Sequence, residues 1–418
     1  MRNDAKVTPT QVLDANAVQR RTLIVVSAAQ VFSGFGLAAG ITVGALLAAS
    51  VWESTALAGV PAVIMTVGAS VAALGIAGLS QRAGRRVGLA AGYAAGAVGA
   101  VGIVLGTTLD LPPLMLVAFL VYGAGSAANL QARFAAADLA PADHRARAMS
   151  IVLMATTLGA VVGPLSSGWS GAVVSEWGLA PLLGPFVIAC IAYALGAVVL
   201  ALALRPDPLL TARTLAASNT SQSAAPPAAL DGWRTRVAAA IGIMIVAQGV
   251  MVAVMTMTPV HLKEHHHAIG AIGVVIAAHV AAMYVPSPLS GWLVDRYGSV
   301  FVAILAGGVL MLAGTLAAIS DPDALSGSVI SLVLLGLGWS LAMVAGSALL
   351  TAWAPAHLRT RLQGRSDALT TLAGASGAGL AGVVMGWQGY TTIAVTAAVL
   401  AALMIPVAVL ARTRRTGE

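Results

Sequence analysis

The chain has 418 residues, of which 59% are hydrophobic and 9% charged, with 22 Lys and Arg against 15 Asp and Glu for a net charge of +7. An ordinary soluble domain carries about a quarter charged residues, and no aqueous fold has interior enough to hide this much apolar surface, which excludes a soluble enzyme. The basic residues lie in short stretches between apolar runs and form no basic stripe with interleaved aromatics, which excludes nucleic acid and leaves the lipid bilayer as the main partner.

Residues 1–21 are polar and precede an apolar run too long for a secretory h-region, with no small-residue cleavage site after it. They read as a cytoplasmic N-terminal tail before an uncleaved first helix. Runs long enough to cross a bilayer core, which takes about 20 residues, then fall at 22–48, 55–79, 87–108, 112–136, 147–173 and 180–204. A second set falls at 236–259, 270–293, 300–319, 327–351, 366–387 and 390–411. The sequence thus predicts an all-α membrane protein with twelve transmembrane helices in two six-helix pseudo-repeats. An N-terminal bundle covers 22–204, a cytoplasmic linker 205–235, a C-terminal bundle 236–411 and a cytoplasmic tail 412–418. The linker carries the polar run Ser218 to Ser223 and then Pro226 and Pro227, a composition that buries no core. The single cysteine, Cys190, has no partner for an internal disulfide and reads as a small buried hydrophobe.

Charge sets the orientation. With both termini in the cytoplasm, every one of the 22 Lys and Arg residues except Lys263 falls on the cytoplasmic side, as the positive-inside rule demands of an inner-membrane protein. Glu53, Asp110, Glu176, Glu264, Asp321 and Asp323 fall on the outer side.

Two loops repeat. Ala140-Pro141-Ala142-Asp143-His144-Arg145-Ala146-Arg147 recurs as Ala354-Pro355-Ala356-His357-Leu358-Arg359-Thr360-Arg361, and Leu79 to Gly84 recurs as Leu293 to Gly298, both at a shift of 214 residues. A shared offset implies two halves related by an axis along the membrane normal.

These loops carry a resemblance to the major facilitator superfamily, whose loop between the second and third helices reads G-x-L-x-D-R-x-G-R-R. Arg82, Gly84, Arg85 and Arg86 match it, while Ala77 and Gln81 stand where that family has Gly and Asp. The second copy keeps Gly291, Leu293, Asp295, Arg296 and Gly298, with Ser299 for the basic residue. The resemblance implies that these loops lock the two halves together on the cytoplasmic side. Gly159, Gly163, Pro164 and Gly168 are similar to the element that the superfamily's antiporters place in the fifth helix, and small-residue packing accounts for them equally well.

An ionisable group inside a membrane is expensive and therefore marks function, yet no carboxylate falls near the midplane. Asp138, Arg133 and Asp367 sit toward cytoplasmic ends. Asp367 reads either as a gate or proton site or as an N-terminal carboxylate favoured by its helix dipole. The middle of the seventh span instead holds Met244, Gln248, Met251 and Met255, the three methionines on one stripe, and the eighth holds His279 and Met283 four residues apart on one face. Counted from the outer helix ends, Met251 and His279 fall level. Thioethers and neutral imidazole suit a soft cation such as Cu(I) and carry no charge to bury. They equally suit gap-filling methionines and a satisfied core histidine.

Met251-Val252-Ala253-Val254-Met255 and His279-Val280-Ala281-Ala282-Met283 resemble the paired M-x-x-x-M and H-x-x-x-M motifs of the CcoA-like copper importers, which belong to the same superfamily and supply copper for cbb3-type cytochrome c oxidase. The resemblance implies copper import with Met251, Met255, His279 and Met283 as ligands, copper being cargo with no permanently bound cofactor, and a cytoplasmic copper-handling protein as recipient. Relatives similar in fold that carry riboflavin or other solutes should lack these four residues. His261, His265, His266 and His267 cluster in the adjoining outer loop, as a capture site or a solvated loop. No G-x-x-x-x-G-K-[ST] occurs, so alternating access by a secondary transporter, not an enzyme, is expected. The competing expectations are a proton-coupled efflux antiporter of organic solutes and a non-transporting copper sensor or assembly factor. Trp292, Trp339, Trp353 and Trp387 are assigned to packing or interface belts.

Overall fold

A backbone in lipid can satisfy its polar groups only within itself, and every regular element here is a helix, in a computed structural model that describes residues 9–51, 60–220, 232–267 and 269–410. Glu53, Arg2, Lys6, Arg412, Arg414, Arg415, Pro226 and Pro227 lie outside the described residues. The chain divides into two compact units, Met1–Asp231 and Gly232–Glu418.

In the first unit, span one is α1 (Pro9–Val51), span two α2 (Val60–Ala83), span three α3 (Arg85–Thr108) and span four α4 (Pro112–Ala137). Span five is α5 (Arg145–Leu165) followed by α6 (Ser167–Glu176), span six is α7 (Gly184–Ala203), and α8 (Pro208–Thr220) follows it. In the second unit, span seven is α9 (Trp233–Glu264), span eight α10 (Ile269–Tyr284) plus α11 (Ser287–Tyr297), span nine α12 (Ser299–Ile319) and span ten α13 (Leu325–Trp353). Spans eleven and twelve form one run, α14 (Arg359–Leu410), broken where Gly389 takes φ 76° and ψ 179°.

The helix bounds differ from expectation at five places. Residues 9–21 are not a tail but the start of α1, because Gln19 Nε2 donates to Ala136 O at 2.7 Å and Arg21 Nε to Ala203 O at 3.1 Å. Part of the expected linker is helical as α8, whose N-terminus is capped by Asp207: its Oδ1 accepts from the N–H of Leu209 at 3.0 Å and of Leu210 at 3.1 Å. Helix α9 runs through Pro259 to Glu264, so the carbonyl of Met255 loses its usual i+4 donor. Spans five and eight each break, at Ser166 and at Pro286.

Both units use the same packing plan. In the first, span one packs on five, two on four, three on four, and three on six. In the second, span seven packs on eleven through Gly249 against Gly377, and nine on twelve through Gly314 against Ala394 and Ala398. Spans eight and nine also pack on ten. The repeated loops share their backbone, with φ 92° at Gly84 and φ 88° at Gly298, a conformation in which only glycine avoids a Cβ clash.

Lipid tails supply no hydrophobic drive between helices, so association rests on close backbone approach at small residues. A Cβ at Gly34 would stand 2.8 Å from Ala160 N, and one at Gly159 would stand 2.7 Å from Phe35 N. Buried polar side chains add to this. Gln30 Nε2 donates to Asn129 O and Thr156 Oγ1, each at 3.1 Å, Tyr93 Oη–H donates to Gln30 Oε1, and Asn129 Nδ2 donates to Ser33 Oγ at 2.8 Å. This joins spans one, three, four and five.

The packing generates a stability test. Gly159→Val is expected to cost about 1–3 kcal/mol by overpacking, read as a lower midpoint in thermal unfolding of detergent-solubilised protein, whereas Gly168→Ala, with nothing within 4 Å of the added carbon, leaves the midpoint unchanged. Equal midpoints in the two variants would mean that spans one and five do not meet this closely.

Candidate transport site

At the arginine-rich end of the first unit, the loop that resembles the superfamily motif is held by neighbours from its own half. Arg85 is fully buried and donates through Nε to Asp138 Oδ2 at 2.8 Å and through Nη2 to Asp138 Oδ1 at 3.3 Å. Arg86 N–H donates to Asp207 Oδ2 at 2.7 Å, and Arg213 Nη1 donates to Gln81 O at 2.7 Å. Gly84 is tight against the same carboxylate, since a Cβ there would lie 2.5 Å from Asp207 Cγ. Asp138 and Asp207 therefore supply the negative charge that Gln81 does not. In the second unit Gly298 and Arg296 are exposed, and Asp295 is half-buried.

Span ten is the common reference for the central residues. Met244 of span seven is tight against Gly346, and Ser347 Oγ lies 3.7 Å from its Sδ. Further along, Gln248 Oε1 accepts from Trp339 Nε1–H at 2.7 Å, and the Trp339 ring meets Tyr284 of span eight edge to face at 5.7 Å. On the span-eight side, His279 Nδ1–H donates to Leu332 O at 2.7 Å, and a Cβ at Gly336 would lie 3.0 Å from Met283 N. Ser287 Oγ lies 3.0 Å from Ser340 Oγ. His279, Met283 and Ser287 thus share one face, and that face lies on span ten.

These contacts correct the expected pairing of spans seven and eight. The two helices touch only slightly, and each packs on span ten instead. They also shift the register by one turn. Spans seven and ten run antiparallel, with Gln248 level with Trp339, so Met251 falls near Gly336 and Met255 near Leu332 at about 1.5 Å per residue. Met255, not Met251, is level with His279, as follows from the extension of α9 to Glu264. Met251 and Met283 are buried and Met255 is half-buried.

His279 is fully buried, and its Nε2 has no hydrogen-bond partner among the described residues. Because a carbonyl can only accept, the bond to Leu332 O places the proton on Nδ1 and leaves Nε2 with an exposed lone pair. A carbonyl that fixes one ring nitrogen and orients the other is the arrangement that metal-binding histidines use.

Elsewhere the structure reassigns residues. The outer histidines form no metal cluster: among the described residues no group of three or more His, Cys, Asp or Glu is placed to hold an ion. Their rings have other partners. His261 stacks on Tyr390 at 4.3 Å, His265 Nδ1–H donates to Asp323 Oδ1 at 3.2 Å, and His267 Nε2–H donates to Pro322 O at 2.9 Å, while His266 is exposed with φ 59°. Asp367 is fully buried and lies well past the first turn of α14, beyond the range of a helix-dipole account. Of the two readings offered for Trp339, the structure shows packing: it meets Gln248 and Tyr284 on the central face. Sequence reasoning gave Trp339 no functional weight, although a buried indole N–H usually finds a hydrogen-bond partner.

Two bundles of six long apolar helices in repeated order, with polar groups kept at their centres and basic loops at one end, define a membrane transporter of the secondary class. The chain belongs to the Major Facilitator Superfamily, whose profile matches residues 26–268 and 239–418. It is 43% identical over 401 residues to the uncharacterised MFS-type transporter YdeG of Bacillus subtilis, covering 95% of this chain and 93% of that one. It is 26% identical over 390 residues to the riboflavin transporter RfnT of Brucella anthropi, covering 91% and 92%. Its fold matches that of the proton:xylose symporter XylE with a TM-score of 0.72 over 93% of this chain and 95% of that one, at 16% identity. These relatives establish a transporter and leave its cargo open.

The Arg85–Asp138 pair makes a sharp prediction. Asp138→Asn removes the countercharge of a buried guanidinium and is expected to destabilise the protein by about 3–5 kcal/mol. Exchanging both partners, Arg85→Leu with Asp138→Leu, should cost less than the single change, as read from thermal unfolding midpoints. A single variant as stable as the parent would remove the pair from the account of this loop.

Proposed function

We propose that this transporter imports copper across the inner membrane by alternating access, with His279 and Met283 on span eight and Met251 and Met255 on span seven as transient ligands. The observation that carries the reading is the Nε2 of His279, an acceptor with no protein partner among the described residues in a fully buried ring, with a thioether on the same face one turn away. An unsatisfied buried acceptor costs about 1–3 kcal/mol, and a soft cation passing through would satisfy it. Uncharged nitrogen and sulfur donors favour Cu(I) over hard ions. Because spans seven and eight each pack on span ten, the two ligand pairs act as successive stations one turn apart in depth, Met255 with His279 and Met251 with Met283. The resemblance to CcoA-like importers supports the same cargo and extends it to cbb3-type oxidase assembly through a cytoplasmic copper-handling protein. The buried Asp367 is a proton or gate residue in this scheme.

Radioactive copper accumulation tests it in cells carrying the parent or the single variants Met251→Ala, Met255→Ala, His279→Ala and Met283→Ala. His279→Ala is expected to fall to the level of cells lacking the transporter, and the methionine variants to lie between. Undiminished uptake in all four at normal membrane abundance would end the copper reading. Copper bound without accumulation would instead indicate a sensor or assembly factor.

A second reading rests on the Trp339–Gln248–Tyr284 constellation, an aromatic face with an amide beside it that suits a planar organic solute such as the cargo of RfnT. It predicts riboflavin accumulation that Trp339→Ala abolishes and His279→Ala spares. An efflux antiporter would show solute sensitivity on deletion and no accumulation of either cargo.

A further inference from the structure

Between spans three and six the first unit has an open groove of about 540 Å³ lined almost wholly by apolar atoms, with Arg86 of α3 and Arg205, just past the end of α7, at one end. Ala90 and Ala94 of α3 face Ala197 and Ala201 of α7, and their methyls leave the trough unfilled. Past this point Tyr93 and Gly196 close the helices together, for a Cβ at Gly196 would lie 3.1 Å from the Tyr93 ring. The trough runs from the level of Arg86 and Arg205 to that of Ala94 and Ala197, eight residues of helix or about 12 Å. That is close to the depth of one leaflet of a ~30 Å hydrocarbon core. Beside it, Val98 and Leu202 are each 66% exposed, so this surface faces lipid.

The charged end is complementary to an anion. Arg205 is exposed, and its side chain has no polar partner among the described residues. Arg86 gives one Nη1–H to Ala201 O at 3.3 Å, and Arg21 covers Ala203 O, so the last carbonyls of α7 are screened. The carboxylate of Asp207, two residues past Arg205, is already engaged by three backbone N–H groups, those of Arg86, Leu209 and Leu210.

We propose that the groove between spans three and six binds an anionic glycerophospholipid, its phosphate between Arg86 and Arg205 and one acyl chain in the alanine trough. A basic pocket between helices at the headgroup level is the usual form of such a site, and each arginine there contributes about 1 kcal/mol. The inference is independent of the cargo.

Native mass spectrometry of the full-length protein, released from detergent after incubation with phosphatidylglycerol and phosphatidylcholine of identical acyl chains, tests it. The parent should retain phosphatidylglycerol in preference. Arg205→Gln should weaken that retention about fivefold, the equivalent of one arginine, and leave phosphatidylcholine unchanged. Ala94→Leu, on the lipid-facing surface, should fill the trough and lower retention of both lipids at an unchanged thermal midpoint. Raising ammonium acetate should erode the preference in the parent itself. Equal retention of the two lipids by the parent, retention of neither, or undiminished phosphatidylglycerol in both variants would overturn the proposal.

Discussion

In a bilayer each backbone polar group must find its partner within the protein, and each contact between helices must be made without help from water. These two constraints account for most of what is seen. The first leaves only helices as spanning elements. The second favours glycine and alanine wherever helices meet, because close approach restores the dispersion contacts that the hydrophobic effect would otherwise supply. Gly34 against Gly159, Gly249 against Gly377 and Gly314 against Ala398 are instances at three different pairs of spans.

Against that background, the polar groups that remain inside divide into two kinds. In the first unit, Gln30, Asn129, Tyr93 and Thr156 bond to one another and hold four spans together. Arg85 is closed by Asp138 in the same way. In the second unit, His279 is held at one ring nitrogen and has no partner among the described residues at the other. A satisfied network rigidifies a bundle, whereas an open acceptor in a dry interior is a standing cost that a passing ligand can relieve.

The two halves repeat one another in backbone more closely than in side chains. The loop glycines take the same left-handed conformation, and the packing partners correspond span by span. Yet the first half uses its loop arginine in a buried ion pair, and the second half places imidazole, thioethers and indole at its centre. Duplication supplied the scaffold, and substitution gave the two halves different central side chains.

Much of this was legible in the residues. Apolar runs of spanning length gave the helices, since lipid imposes a hydrophobic requirement on every residue of a span and leaves a long, unambiguous signal. The shift of 214 residues between loops, anchored by Gly84 and Gly298, gave the repeat, because a positive φ at a loop admits little besides glycine. That methionine and histidine stand in the middle of spans seven and eight was also visible, being a matter of residue type and distance from the helix ends. What only the tertiary structure decided is which groups meet. Sequence counting assigned spans seven and eight to each other, ended span seven at Pro259, and could not find Asp138 and Asp207 as the partners of a loop that lacks its own acid. Helices adjacent in sequence need not be adjacent in a bundle, and a proline between Thr258 and Val260 does not end a helix whose neighbours hold it, Thr258 bonding Tyr390. Contacts between distant segments depend on packing over the whole unit, and no local pattern of residues encodes them.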